Sequence, residues 1–413
     1  MISIYRILYF ILKYVSLGFS PFLGPKYKIW RQLRDQGIVP LGVNKKCFWF
    51  HASSGEIEYV KSIILELRNQ KPQCQIVVSY SSPSAEQLFS NIKSAVDLFF
   101  PLPWDQPEAI KSLFRELDPA ILIFSRTDFW PELIEQAHQF KVPIVVVSFY
   151  AELTTLKRWL YQGLFKKFKY ISCVDGRQAD ALKLILPKNS QIQADGDTRF
   201  DQVFWRLSQP SKVILQTQKP IFICGSTWNE DEVKLWPVFG ELIKSGYQII
   251  LSPHEVSADH IQRLHKDLVS KNFTVQLLSE AAFPQLHFLT DFLLVDQIGY
   301  LADLYRYGRI AFVGGSFKEK VHSVMEPLCC GLPVIVGPYY KNNPEANKYV
   351  QFTDPVLIYA VENSSELLKA IDSIQTQGVE LQLKIKKIAL ENKNNTQKIL
   401  KTILDIVLER ANF

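Results

Sequence analysis

The chain has 413 residues, 47% hydrophobic and 21% charged; this composition excludes a disordered protein, and the length exceeds what one hydrophobic core supports, so two domains are expected. The formal net charge of +6 is modest and comes with no aromatic-interleaved basic motif, which argues against nucleic acid and for an anionic substrate or a membrane surface. Six cysteines, at positions 47, 74, 173, 224, 329 and 330, lack CxxC pairing and read as reduced thiols in a cytoplasmic setting.

The first segment, residues 1–23, is mostly Ile, Leu, Tyr and Phe, interrupted by Arg6 and Lys13 and followed by Lys26, Lys28, Arg31 and Arg34. It has no small-residue cleavage site, so it is not read as a signal peptide. As a bilayer span it is barely long enough, and Lys13 would lie near the middle at high cost. A helix lying in the interface, with Arg6 and Lys13 snorkelling toward lipid phosphates, avoids that cost. With its basic tail on the cytoplasmic side, it would keep the rest of the chain inside the cell. The alternative is an ordinary buried N-terminal helix.

Next comes the apolar run Cys47-Phe48-Trp49-Phe50, then His51-Ala52-Ser53-Ser54-Gly55-Glu56, then Ile57, Val60, Ile63, Ile64 and Leu67 at helical spacing. This reads as strand, turn and helix start, with Glu56 in the first helical turn, where the dipole favours an ionised carboxylate. A carboxylate at the C-terminal end of a strand suits a general base, and it equally suits a plain helix cap. Further strands are expected at 76–80, 96–100, 120–124, 143–148 and 170–174, as continuous apolar or β-branched runs of the kind buried on both faces of a parallel sheet. Helical periodicity occupies 84–92, 107–117, 131–140, 156–168 and 177–186.

A polar stretch at 208–219 separates this series from a second one. Strands are expected there at 221–224, 248–252, 274–278, 292–295, 310–313 and 334–336, with helices at 231–245 and 258–271. The expected fold is α/β, with two Rossmann-like doubly wound domains, 24–207 and 208–390, facing a central cleft. The terminal helix 391–413 carries Ile399, Ile403, Ile406 and Val407, which suit docking on the first domain.

Three strand ends of the second series carry chemistry. Gly225-Ser226-Thr227 precedes the acidic helix start Asn229-Glu230-Asp231-Glu232, where exposed N–H groups can hold a phosphate or carboxylate. Gly314-Gly315-Ser316 lets backbone approach a ligand. His322-Ser323-Val324-Met325-Glu326-Pro327 opens a helix, with Glu326 placed to accept ribose hydroxyls. Each has an ordinary reading as a turn, a satisfied histidine or a buried glutamate. Their succession on the strand ends of one domain favours a nucleotide-sugar site.

His51 with Gly55 and Glu56, Phe129-Trp130-Pro131, Gly225-Ser226-Thr227, Asp296 with Gly299, Ala311–Ser316, and His322 with Glu326-Pro327 together resemble the motif series of the bacterial Kdo transferases. Those are membrane-associated, metal-independent glycosyltransferases of GT-B architecture that move 3-deoxy-D-manno-octulosonic acid (Kdo) from CMP-Kdo to a lipid A precursor. The resemblance implies Glu56 as catalytic base. It implies Ser226, Thr227, His254, Gly315, Ser316, His322 and Glu326 on the CMP-sugar donor, and Ser54, Gly55, Arg126 and Asp128 on a phosphorylated lipid acceptor. No resident cofactor, metal or nucleic acid is expected, and helix N-termini after Gly225 and Gly315 would meet the leaving phosphate. This chain departs from the pattern at Arg126, where the family carries an acid, at Tyr150, at Ser252-Pro253-His254 and at Ser323. Two other readings are a GT-B transferase using a UDP- or GDP-sugar, and a catalytically silent sugar-binding protein.

Overall fold

The computed structural model describes residues 2–18, 24–35, 46–90, 92–281 and 284–411, and the chain divides into two compact units. Unit 1 comprises Met1–Gln202 with Asn394–Phe413, and unit 2 comprises Val203–Lys393.

Unit 1 is built on strands β1 (Cys47–His51), β2 (Gln75–Tyr80), β3 (Leu98–Pro101), β4 (Ile121–Ser125), β5 (Ile144–Phe149), β6 (Tyr170–Cys173) and β7 (Ile192–Ala194). They form one sheet in the order β3-β2-β1-β4-β5-β6-β7, and every pairing is parallel. Alternate side chains of each strand enter two separate cores, as the two-residue strand period dictates. Trp49, Leu122, Phe124, Ile144 and Val146 enter one core; Phe48, Phe50, Ile121, Ile123, Val145 and Val147 enter the other. The second core is closed by helix Ile57–Gln70 and by the terminal helix Asn395–Ala411, whose Ile399, Leu400, Ile403 and Ile406 are buried there. Thr396 fastens that helix, its N–H donating to Asp201 (2.6 Å) and its hydroxyl to Ser62 (2.9 Å).

Unit 2 continues with β8 (Ile214–Gln216), β9 (Ile221–Thr227), β10 (Gln248–Pro253), β11 (Val275–Leu277), β12 (Gln285–His287), β13 (Phe292–Leu294), β14 (Ile310–Val313), β15 (Val334–Val336) and β16 (Ile358–Ala360). Its main sheet runs β11-β13-β10-β9-β14-β15-β16, and β8 pairs β12 separately. In both main sheets the winding reverses beside the first long strand, between β1 and β4 in unit 1 and between β9 and β14 in unit 2. The loops after those strands diverge there and leave a crevice, where open α/β sheets bind ligands. The two units therefore give the α/β, GT-B-like fold expected from the sequence.

The helix expected over 84–92 is shorter, Ala85–Phe89. The three-residue strands β7, β8, β12 and β16 carry too few residues for a period to register in the sequence.

The N-terminal helix Ile2–Gly18 corrects one expectation. Arg6 and Lys13 do not reach outward: Arg6 donates two bonds to the buried Glu132 carboxylate (2.7 and 2.9 Å), and Lys13 donates to Gln106 (2.8 Å). Tyr5 donates to Asp105 (2.6 Å) from the same face. Arg34, read as part of a basic tail, is buried, with its guanidinium 4.4 Å from the ring centres of both Trp30 and Trp130. The opposite face of the helix exposes Ile4, Ile7, Leu8, Ile11, Leu12 and Val15. Among the described residues no helix is long and apolar enough to cross a membrane.

Removing Arg6 leaves a buried carboxylate with one charge-bearing partner fewer. Arg6→Ala should therefore lower the unfolding free energy by about 1–3 kcal/mol, while Ile7→Ser on the exposed face should change it by less than about 0.5 kcal/mol. Thermal unfolding of the two variants checks this, and a larger loss from Ile7→Ser would mean that the apolar face is the packed one.

Candidate functional site

In unit 1 the crevice lies beside the β1 and β4 ends. After His51 the chain makes a 3-10 turn over Ser54–Glu56 and enters helix Ile57–Gln70, so Glu56 stands at the helix N-cap. Thr127, just past β4, donates its hydroxyl (3.1 Å) and its N–H (3.3 Å) to Glu56 Oε1. Oε2 is buried without a hydrogen-bond partner. Burial, then the neighbouring Asp128 charge, pushes the Glu56 carboxyl up to about 7, against the Thr127 bonds and Arg126, which pull it down. A carboxylate short of one partner and titrating near neutrality can accept a proton from a substrate hydroxyl. Gly55 is exposed, and a Cβ on it would meet no atom within 4 Å, so open space adjoins the base. The pocket here has a volume of about 590 Å³ and is lined by Ser53, Gly55, Glu56, Tyr59, Arg126, Thr127, Asp128 and Arg199. Ser54 contributes backbone to the turn.

Behind the pocket runs a chain of hydrogen bonds. Trp49 Nε1 donates to Ser79 Oγ (2.9 Å), Ser79 Oγ meets His51 Nδ1 (2.8 Å), and His51 Nε2 meets Asp128 Oδ2 (3.0 Å). The indole can only donate, so every partner is satisfied when the Ser79 hydroxyl donates to Nδ1 and the imidazole carries its proton on Nε2. Burial alone would push Asp128 up, but the His51 and Ser81 bonds outweigh it and hold the carboxyl at about 2. Asp128, assigned by resemblance to the acceptor, thus has Oδ2 engaged by His51 and by Ser81 (2.7 Å); its fixed negative charge helps keep Glu56 basic. Arg126 has a left-handed backbone (φ 53°) and donates to the Tyr59 hydroxyl. The Asp-x-Asp spacing at Asp195 and Asp197 forms no acidic pair: Asp195 accepts from Tyr170 (2.5 Å), and Asp197 is bidentate to Arg199.

In unit 2 the corresponding strand ends are tied together by Asp231, whose buried carboxylate accepts the N–H groups of Gly315 (2.7 Å), Phe317 (2.9 Å) and its own helix's Trp228 (2.9 Å). The Gly315 N–H, expected to meet a leaving phosphate, is bonded to Asp231 in this structure. Thr227 and Ser316, assigned by resemblance to CMP, are fully buried; Thr227 donates to Glu232 (3.2 Å), and Ser316 Oγ joins Val313 O (2.9 Å) to Gly337 N (2.8 Å). Their hydroxyls hold the loops rather than face a ligand. Gly314 and Gly315 are required sterically: a Cβ on Gly314 would lie 2.3 Å from Ser226 O, and one on Gly315 (φ 78°) 2.3 Å from Lys320 O.

Of the side chains assigned by resemblance to the donor, Ser226, His254, His322 and Glu326 keep exposed surface. His322 stacks on His254 (ring centres 4.3 Å apart), and His254 stacks on Trp228 (4.6 Å). Trp228 Nε1 donates to His322 Nε2 (3.1 Å). Burial, with His254 and Lys320 nearby, pulls His322 down to about 4, so at neutral pH it is a neutral ring whose proton sits on Nδ1. Lys318 Nζ lies 3.4 Å from the Trp228 ring centre. Glu326, in the first turn of helix Met325–Cys329, accepts from Ser323 and lies 3.9 Å from Arg206.

Sequence reasoning missed Thr127, Tyr59, Arg199, Trp228 and Lys318 as site residues. Thr127 could have been found as the residue between the two singled out, Arg126 and Asp128. Trp228 and Lys318 carry no spacing signal, because they meet across two strand ends.

Residues 30–202 match the family model described as 3-deoxy-D-manno-octulosonic-acid transferase (kdotransferase). The 3-deoxy-D-manno-octulosonic acid transferase of Chlamydophila psittaci is 29% identical over 322 residues, covering 72% of this chain and 70% of that protein. The enzyme of that name from Aquifex aeolicus is 28% identical over 348 residues, covering 83% of this chain and 90% of that protein. Among solved structures, UDP-GlcNAc 2-epimerase from Neisseria meningitidis superposes with a TM-score of 0.57 at 14% identity, covering 87% of this chain and all of that one, a likeness of fold alone. The chain is thus similar to 3-deoxy-D-manno-octulosonic acid transferases over most of its length.

Proposed function

We propose that the protein transfers Kdo from CMP-Kdo to a hydroxyl of a phosphorylated, acylated acceptor of the lipid A precursor type. The observation that carries this reading is the Glu56 carboxylate, half-buried in the unit 1 pocket with Oε2 unpartnered, in a domain that matches the family model. Glu56 takes the proton of the acceptor hydroxyl as its oxygen attacks the anomeric carbon of the sugar. The new glycosidic C–O bond forms as the bond from that carbon to the CMP phosphate oxygen breaks, with inversion. In unit 2, Glu326 accepts from the ribose hydroxyls. Ser226, the Nδ1–H of His322 and the Lys318 ammonium supply donors for the phosphate charge as CMP leaves, without a metal ion.

Attack by a hydroxyl without its base loses typically 10²–10⁴-fold in rate. Glu56→Gln should accordingly lower the turnover of CMP-Kdo by roughly 100-fold or more while leaving CMP affinity unchanged. Because burial raises the Glu56 pKa, its stabilising contribution is complete below the unfolded value and is lost as pH rises through about 7. Glu56→Gln should then unfold at higher temperature than the parent at pH 8, by the equivalent of up to about 3 kcal/mol, and show little difference near pH 4.5. Full transfer activity in the variant, measured beside UDP- and GDP-sugar controls, would remove Glu56 from the mechanism.

The site of action we propose is the cytoplasmic face of the inner membrane, with the exposed apolar face of helix Ile2–Gly18 resting in the lipid interface. Arg6 and Lys13 do not carry this contact, since both are bonded to the protein. Replacing Ile7, Leu8 and Ile11 together by Ser should weaken sedimentation with phospholipid vesicles by roughly 100-fold or more, with melting temperature and CMP binding retained. Undiminished sedimentation would show that another surface meets the lipid.

A further inference from the structure

Arg126, Arg199 and Tyr59, which line the pocket beside Glu56, have no part in the proton transfer. Arg126 places its guanidinium carbon 4.6 Å from the centre of the Tyr59 ring and 5.6 Å from that of Tyr150. Arg199 places its own 4.0 Å from the same Tyr59 ring. Two cations share one aromatic platform.

Their surroundings differ. Asp197 holds Arg199 from one edge, accepting from Nη2 (2.6 Å) and Nε (3.1 Å), which fixes its position beside Arg126. Arg126 makes no ion pair among the described residues; its hydrogen bond goes to the neutral Tyr59 hydroxyl. It also occupies a backbone conformation, φ 53°, that costs an ordinary residue about 1 kcal/mol or more. A strained backbone that presents to a pocket a guanidinium without an ion-pair partner points to an anion bound there. The Arg126 guanidinium, set over the Tyr59 ring, has N–H donors beyond its bond to the Tyr59 hydroxyl, and a guanidinium takes a carboxylate or phosphate through two parallel hydrogen bonds.

We propose that Arg126 and Arg199, aligned on Tyr59, form an anion-binding site that seats a carboxylate or phosphate of a substrate next to the Glu56 base. This rests on the transferase reading above and adds to it a specificity determinant. The base must reach the acceptor hydroxyl at the moment it attacks, so an anion held in the same pocket belongs to one of the two reacting partners. Two sources fit: a phosphate of the acceptor, or the carboxylate of the transferred sugar acid. Seating it fixes the reacting atoms against the base, which appears as apparent affinity more than as the chemical step.

The test is steady-state kinetics on the full chain, varying CMP-Kdo and the acceptor separately, for the parent, Arg126→Gln, Arg126→Lys and Arg199→Gln. Arg126→Gly, which suits the left-handed backbone, keeps the test available if Arg126→Gln fails to fold. The expected result is a KM raised roughly tenfold to a hundredfold for one substrate, partly recovered in Arg126→Lys, with kcat changed far less. If the anion is the acceptor's phosphate, the affected KM is the acceptor's, and enzymatic dephosphorylation of the acceptor abolishes the difference between parent and variant. If it is the sugar carboxylate, the affected KM is that of CMP-Kdo, and the difference survives dephosphorylation. Unchanged KM values for both substrates in folded Arg126→Gln or Arg126→Gly would overturn the site. A parent protein that transfers no Kdo at all would instead overturn the reading on which it rests.

Discussion

The constraint on which unit 1 depends is a carboxylate placed where water cannot fully solvate it. Glu56 caps a helix at the point where a parallel sheet reverses its winding, and Thr127 satisfies only one of its oxygens. The parallel order makes this arrangement: β1 and β4 are neighbours, but their loops leave in opposite directions, so a residue after each faces the same crevice. The burial that makes Glu56 costly to ionise also makes it basic enough to accept a proton near neutral pH. Asp128, held ionised by the chain from Trp49 through Ser79 and His51, adds to that basicity through its charge.

Unit 2 solves a different problem with similar topology. Its loops after β9 and β14 approach each other closely enough that Gly314 has no room for a side chain, and one buried carboxylate, Asp231, gathers three backbone N–H groups from both. Closing these donors internally leaves the less buried side chains further out at the strand ends. Trp228 then acts on His322 twice, through the hydrogen bond that leaves the proton on Nδ1 and through the His254 ring on which it stacks. The result is a neutral donor beside two lysines, rather than a third cation.

Strands were legible in the sequence wherever they are long and buried on both faces. The runs at 310–313 and 334–336 coincide with β14 and β15, because continuous Val, Ile and Phe has no other stable placement. The helix at 107–117 was equally plain, with Pro107 at its start and four apolar positions on one face. Among the site residues, the position of Glu56 after a strand end was readable. The orphaned Oε2 was not, since it depends on Thr127, 71 positions away in sequence. Ser316 and Thr227 look like ligand contacts in the sequence because small hydroxyl residues in a glycine turn serve equally to bind a ligand or to tie a loop, and only burial separates the two. Arg6 and Lys13 misled for a related reason: a cation within an apolar helix has to find a partner, and here Glu132 and Gln106 of the same unit supply it.

The most direct test of this account is the protonation of Glu56 itself. Carbon-13 NMR of the protein labelled at the glutamate side-chain carboxyls, with the Glu56 resonance assigned by its loss in Glu56→Gln, follows that one group through a pH titration. A midpoint near 7, against ordinary values close to 4.5 for exposed glutamates, is the result the buried, half-satisfied carboxylate requires. A midpoint at or below 4.5 would mean that the group is fully solvated or fully paired, and it would contradict Glu56 as the base.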